Sequence, residues 1–174
     1  MGLLSKKNKP SQKAYAVVTG AGSGIGRSFA LELAKRGGDV ICADIDLSSA
    51  QETVDLIQSM TSTSAYAVHC DVGLKESVHA LAEQAEQLLG HPVTLLINNA
   101  GVGLGGKFDE VSLEDWQWCM HVNLWGVIHG CHYFVPKFKQ QGFGAIINVA
   151  SAAGYTAAPE MTAYNVTKSS VLAL

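Results

Sequence analysis

The sequence predicts an α/β domain built on a doubly wound, mainly parallel sheet. Short apolar runs alternate with longer amphipathic stretches along the 174 residues, and no repeat, linker or low-complexity tract interrupts them. A glycine-rich turn stands between the first apolar run and the first amphipathic one, where a strand must pass into a helix. The length fits one domain with a core of its own.

Taken in order, AYAVVT at residues 14–19 reads as the first strand and residues 25–35 as the first helix. DVICA at 39–43 gives the second strand and 47–60 the second helix. AYAVH at 65–69 and residues 74–89 repeat the unit, and VTLLIN at 93–98 is the fourth strand. A long helix follows from 113 to about 138, with Ser112 and Asp115 as a capping-type start. Pro136 is expected to kink or end it, because proline has no N–H to donate to the preceding turn. GAIINVA at 144–150 is the fifth strand, and after it come one loop and the start of a last helix. In such a fold the ligand lies at the carboxyl ends of the strands.

Composition excludes several classes. The chain is 48% hydrophobic and 16% charged, where an ordinary soluble domain has about 25% charged residues. This is far from a disordered chain and fits strands covered on both faces. A net charge of −3 lacks the clustered cations that nucleic acid demands. The one basic group, Lys6, Lys7, Lys9 and Lys13, falls in a polar stretch with Pro10, so residues 1–13 are expected to be a flexible arm and 14–174 the folded domain. Leu3 and Leu4 are too short a run for a secretory leader, and MGLLSK carries Lys6 where a myristoylation signal needs Ser or Thr. No run approaches the ~20 apolar residues of a membrane span. The expected location is cytoplasmic, with no membrane or nucleic-acid partner.

Cys42, Cys70, Cys119 and Cys131 form no C-x-x-C pair and read as small buried apolar residues. Cys119, His121, His129, Cys131 and His132 share a short window, but a rise of 1.5 Å per residue spreads Cys119 and Cys131 roughly 18 Å apart on one helix, too far for one metal. No metal is expected.

The chemistry begins at TGAGSGIG, residues 19–26. Glycines here let the backbone approach a pyrophosphate, while the helix N-terminus offers unpaired N–H groups. The spacing is T-G-x-x-x-G-x-G through Gly20, Gly24 and Gly26; Ile25 occupies the sixth place of the more general G-x-G-x-x-G pattern. Asp44 stands at the end of the second strand, eighteen residues past Gly26. A carboxylate there accepts from both ribose hydroxyls of NAD and repels the 2′-phosphate of NADP, so NAD is favoured; the alternative is a loop aspartate or a helix cap shared with Asp46. Asp71 and Val72 would flank the adenine, although Asp71 equally suits a cap for the helix from 74. Tyr164 and Lys168 are four apart, which returns them to one helix face.

These motifs, with NNAG (98–101), Asn123 in HVNLWG and Ser151 in NVASAAG, resemble the short-chain dehydrogenase/reductase (SDR) family, in the family's order and approximate separations. The resemblance implies a three-layer Rossmann fold that binds NAD(P), with Gly20, Ser23, Gly24, Ile25, Gly26, Asp44, Asp71, Val72, Asn99, Ala100 and Gly101 around the cofactor. It implies an oxidoreductase acting on a small-molecule alcohol or ketone. Tyr164 is the acid/base, Lys168 lowers its pKa and holds the nicotinamide ribose, Ser151 stabilises the substrate oxygen, and Asn123 holds a water in a proton relay. Complete members form homodimers or homotetramers through the long helix and the helix carrying Tyr164.

Family members continue past the position of Leu174 into a sixth and a seventh strand, with a substrate lid between them. The chain is therefore expected to be C-terminally truncated, with its fifth strand an unpaired apolar edge. Three readings follow: the larger part of an NAD-dependent dehydrogenase, a truncated dinucleotide-binding protein with little or no turnover, and a metal or nucleic-acid binder, which charge and spacing disfavour.

Overall fold

A computed structural model describes residues 9–174. Five parallel strands lie in the order β3-β2-β1-β4-β5: β1 Tyr15–Thr19, β2 Asp39–Asp44, β3 Ala65–His69, β4 Leu95–Asn98 and β5 Ala145–Asn148. Of the expected arm, residues 1–8 lie outside the described residues. Residues 9–13 form a turn that Arg36 holds through the Ser11 hydroxyl at 3.0 Å and the Lys13 amide at 3.2 Å.

Strand side chains alternate between two apolar layers, which is why the strands read as continuous apolar runs. Ala16, Val18, Val40, Cys42, Leu95 and Ile97 face α1 (Gly24–Lys35) and α2 (Leu47–Met60) through Ala30, Leu33, Ala34, Ala50, Val54 and Ile57. Val17, Ile41, Ala43, Val68 and Leu96 face α3 (Lys75–Leu89) and the helical residues 126–141 through Val78, Leu81, Ala85, Phe134 and Phe138. Burying each such side chain is worth about 1.5–3 kcal/mol. The buried thiols behave as core atoms, and desolvation pushes Cys42 up to about 12 and Cys70 to about 11.

The long helix differs from its expectation. It runs as α4 (Leu113–Met120), a π-helical stretch (His121–Trp125) and α5 (Gly126–Gln141). Ser112 caps it as expected, accepting from the Asp115 amide at 3.0 Å. Pro136 does not end it; α5 continues five residues further and stops at Gly142, whose φ of 78° reverses the chain. Phe134 and Phe138 flank the proline, and their burial offsets the ~3 kcal/mol that an interior proline costs. The last helix, α6, spans Thr162–Ala173.

β1 has β2 on one side and β4 on the other, so the chain switches direction across the sheet there. That switch point opens a crevice at the carboxyl ends of the strands, where Thr19, Asp44 and Asn98 end their runs. β5 is an edge strand with Ile147 43% exposed, as the sequence led one to expect. Among the described residues no helix is long and apolar enough to cross a membrane, and no three His, Cys, Asp or Glu side chains gather as metal ligands.

Candidate active site

Between β1 and α1 the chain turns over residues 20–23. Gly26 permits the turn, because a Cβ there would lie 2.0 Å from the Gly20 carbonyl oxygen. Gly24 has a φ of 53° and open space where its Cβ would be, so the first turn of α1 presents bare backbone. Ser23 makes no side-chain cap, and the first amides of α1 are left for a ligand.

Asp44 leaves β2 beside this turn. One of its oxygens accepts from the Gly22 amide at 2.8 Å and the other from the Asp46 amide at 3.0 Å. The helix cap is Asp46 alone, which accepts from Ser48 and Ser49. Asp71 does not cap α3 either: Leu74 is the cap residue, and the Asp71 carboxylate accepts from the Gly73 amide at 2.9 Å.

Asn99 stitches β4 to the glycine turn. Its side chain donates to the Thr19 carbonyl at 2.9 Å, while the amides of Asn99 and Ala100 donate to the Thr19 hydroxyl at 3.0 and 3.1 Å. Asn98 turns away and donates to Asn148 at 2.9 Å, tying β4 to β5.

Lys168 is buried, and its ammonium donates to the Val149 carbonyl at 2.9 Å, 5.8 Å from the centre of the Tyr164 ring. Burial holds its pKa below the usual lysine value, against a smaller opposing effect of Cys119. Asn123 is fully buried in the π-helical stretch and exchanges hydrogen bonds with Val102, accepting from its amide at 2.7 Å and donating to its carbonyl at 2.9 Å. The same amide group donates to Thr167 at 3.3 Å, and Thr167 donates to the Tyr164 carbonyl at 2.8 Å. The π-helical stretch is thereby tied to the helix that carries Tyr164 and Lys168.

One cleft of about 690 Å³ joins these parts, within the usual range of a cofactor site. Gly20, Ser23, Gly24, Ile25, Gly26, Asp44, Asp71, Val72, Asn99, Ala100, Gly101, Tyr164 and Lys168 all line it. Across it the sequence pattern of the short chain dehydrogenase family matches residues 14–174. The chain belongs to the short-chain dehydrogenase family.

A short-chain dehydrogenase/reductase from Burkholderia phymatum, solved in complex with NAD, superposes with a TM-score of 0.90 at 40% identity, over 95% of this chain and 58% of that one. Cyclohexanol dehydrogenase of Acinetobacter sp. (strain SE19) is 39% identical over 168 residues, 96% of this chain and 66% of the relative. Probable oxidoreductase EphD of Mycobacterium tuberculosis (strain ATCC 25618 / H37Rv) is 38% identical over 152 residues, 87% of this chain and 25% of the relative. The chain thus spans between a quarter and two thirds of the curated relatives it matches.

Two residues that the dehydrogenase resemblance singles out stand apart from the cleft wall. Asn123 lies behind Gly101, where a Cβ would meet its oxygen at 3.1 Å and the Lys168 ammonium at 3.4 Å. The Ser151 hydroxyl accepts from the Ala153 amide at 3.2 Å, starting the short 3₁₀ turn Ala152–Gly154. That turn packs on α6, and Ser169 donates to the Gly154 carbonyl at 2.9 Å.

Other cleft residues carried no sequence signal: Ile45, Cys70, Val102, Gly103, Trp118, Val122, Val149 and Ala150 also line it, with Met161 from the loop before α6. Thr19 and Thr167 do their work through hydrogen bonds to residues up to 81 positions away, which no local pattern reveals. For Thr19 the one available hint was its place directly before the glycine turn.

Proposed function

We propose that this chain carries the cofactor site and acid/base pair of an NAD-dependent oxidoreductase that moves a hydride between the dinucleotide and an alcohol or ketone. The observation that carries the reading is that Tyr164 and Lys168 open into the same cleft as the glycine turn and Asp44. Fit to a dinucleotide is supported by the open space at Gly24, the uncapped start of α1 and the volume of the cleft.

When bound, NAD supplies the hydride acceptor and NADH the donor. Asp44 accepts from the ribose hydroxyls, and its charge disfavours a 2′-phosphate. Gly20, Ser23, Gly24, Ile25 and Gly26 offer backbone to the pyrophosphate; Asp71 and Val72 border the adenine, and Asn99, Ala100 and Gly101 form the wall behind. Tyr164 takes the alcohol proton or returns it to the ketone oxygen. Lys168, fixed by Val149, supplies positive charge beside the phenolate. The Ser151 hydroxyl donates to the substrate oxygen once it turns from the Ala153 amide. Asn123, locked to Val102, holds the floor behind Lys168, through which a water would pass protons outward.

The test is reduction of NAD and of NADP by the purified chain over a panel of secondary alcohols, with Tyr164→Phe as the baseline. The parent should reduce NAD faster than NADP, and Tyr164→Phe should lose about 10²–10⁴-fold, the usual worth of an acid/base group. Preference for NADP would sink the role of Asp44. A parent rate equal to that of Tyr164→Phe would leave a second reading, a dinucleotide-binding protein with little or no turnover. A homodimer or homotetramer in the cytoplasm is the assembly and location this family membership suggests for the whole protein.

A further inference from the structure

We infer that Arg27 is a positioning residue for the dinucleotide-binding turn: with Thr53 it locks the Ala21–Gly22 backbone so that only the following amides face the cleft. This rests on the dinucleotide reading above.

All four polar backbone groups of Ala21 and Gly22 are engaged by the protein itself. The Ala21 amide donates to the Ala43 carbonyl at 3.1 Å, and the Ala21 carbonyl accepts from the Thr53 hydroxyl at 2.8 Å. The Gly22 amide donates to Asp44 at 2.8 Å, and the Gly22 carbonyl accepts from Nη2 of Arg27. The same guanidinium donates to the Thr53 hydroxyl at 2.9 Å, the Ser49 carbonyl at 3.3 Å and the Glu52 carboxylate at 3.0 Å.

An arginine that served only as a surface ion pair with Glu52, which is 63% exposed, would contribute little. Here the Nε and Nη2 edge of the guanidinium is shared among four acceptors on the turn and on α2, while the Arg27 amide donates to the Ser23 carbonyl at 3.0 Å. Neither Arg27 nor Gly22 lines the cleft. The guanidinium thus draws the Gly22 carbonyl away from the place where an anion would sit, and the loop is ordered before it binds. Thr53 is fully buried and holds the preceding carbonyl in the same way.

Affinity for NADH and for NADPH is read by fluorescence titration of the parent, Arg27→Met, Arg27→Lys, Thr53→Val and Glu52→Gln chains, with a thermal melt confirming that each is folded. Arg27→Met should weaken both nucleotides by the same factor, about tenfold. Arg27→Lys should be as weak, because one ammonium cannot meet the four acceptors. Thr53→Val should weaken both in the same direction, and it keeps the question open to measurement should the arginine variants not fold. Glu52→Gln should stay within about twofold of the parent. NADH affinity unchanged in Arg27→Met would overturn the inference. So would a loss confined to NADPH, which would make Arg27 a direct phosphate ligand. If the parent binds neither nucleotide, the dinucleotide reading falls and takes this inference with it; if the parent binds and only the Arg27 result fails, the reading stands alone.

Discussion

Among the described residues, Lys168 is a buried cation with no carboxylate paired to it, and its ammonium donates to the Val149 carbonyl. Burial lowers its folded-state pKa, whereas the unfolded chain has an ordinary lysine near 10.4. Below the folded value both states carry the proton and the fold bears the full desolvation cost. As pH rises between the two values the unfolded chain binds more protons, so stability rises with pH. Lys168→Met removes this titration. Thermal melts should show the variant at least as stable as the parent near neutral pH, with any advantage shrinking as pH rises from the lowered folded value towards about 10.4, while turnover falls about 10²–10⁴-fold. A variant less stable at neutral pH would mean that the Val149 bond outweighs the burial cost. At this scale the sequence disclosed most of the cleft lining: the glycine turn, Asp44, Tyr164 and Lys168 were readable because their positions follow strand ends and helix spacing along the chain. The partners of Asn123 and Ser151 were not. Val102 is 21 residues from Asn123, and what a serine hydroxyl does depends on the turn it begins.

Between elements, the fit of α5 on the sheet rests on a small residue. A Cβ at Gly130 would lie 2.1 Å from the Asn98 side-chain oxygen, so Gly130→Ala must push the helix from β4 or break the Asn98–Asn148 bond. Denaturant unfolding should show a loss of roughly 1–3 kcal/mol, although alanine is the better helix former. Replacing Thr167 by valine removes the link from Asn123 to the Tyr164 carbonyl at almost unchanged volume, and should cost about 1–3 kcal/mol for the buried groups left unpaired. Strand and helix identities were legible because strands covered on both faces are written as short continuous apolar runs and the helices as 3.6-residue periodicity. The π-helical stretch was not, since it breaks that period to bury Asn123, a polar residue that hydropathy assigns to the surface. Nor was the passage of α5 through Pro136, which two phenylalanines decide by burial in a core that only the folded chain possesses.

In the whole molecule, the order β3-β2-β1-β4-β5 puts the switch point and both halves of the candidate site on one rim of the sheet, and leaves β5 open. Ile147 and its unpaired backbone neighbours form an edge suited to pairing with another strand. Ile147→Lys should therefore lower concentration-dependent light scattering of this chain while leaving NADH affinity within about twofold, because single exposed charges act weakly at a distance. The proposed dinucleotide spans the rim from Asp44 to Lys168 as one ligand. Amide-resolved NMR during titration with NADH tests it most directly. Gly20, Gly24, Asp44, Gly101 and Lys168 should shift together along one saturable curve. Shifts confined to one end of the cleft, or centred elsewhere on the molecule, would contradict it.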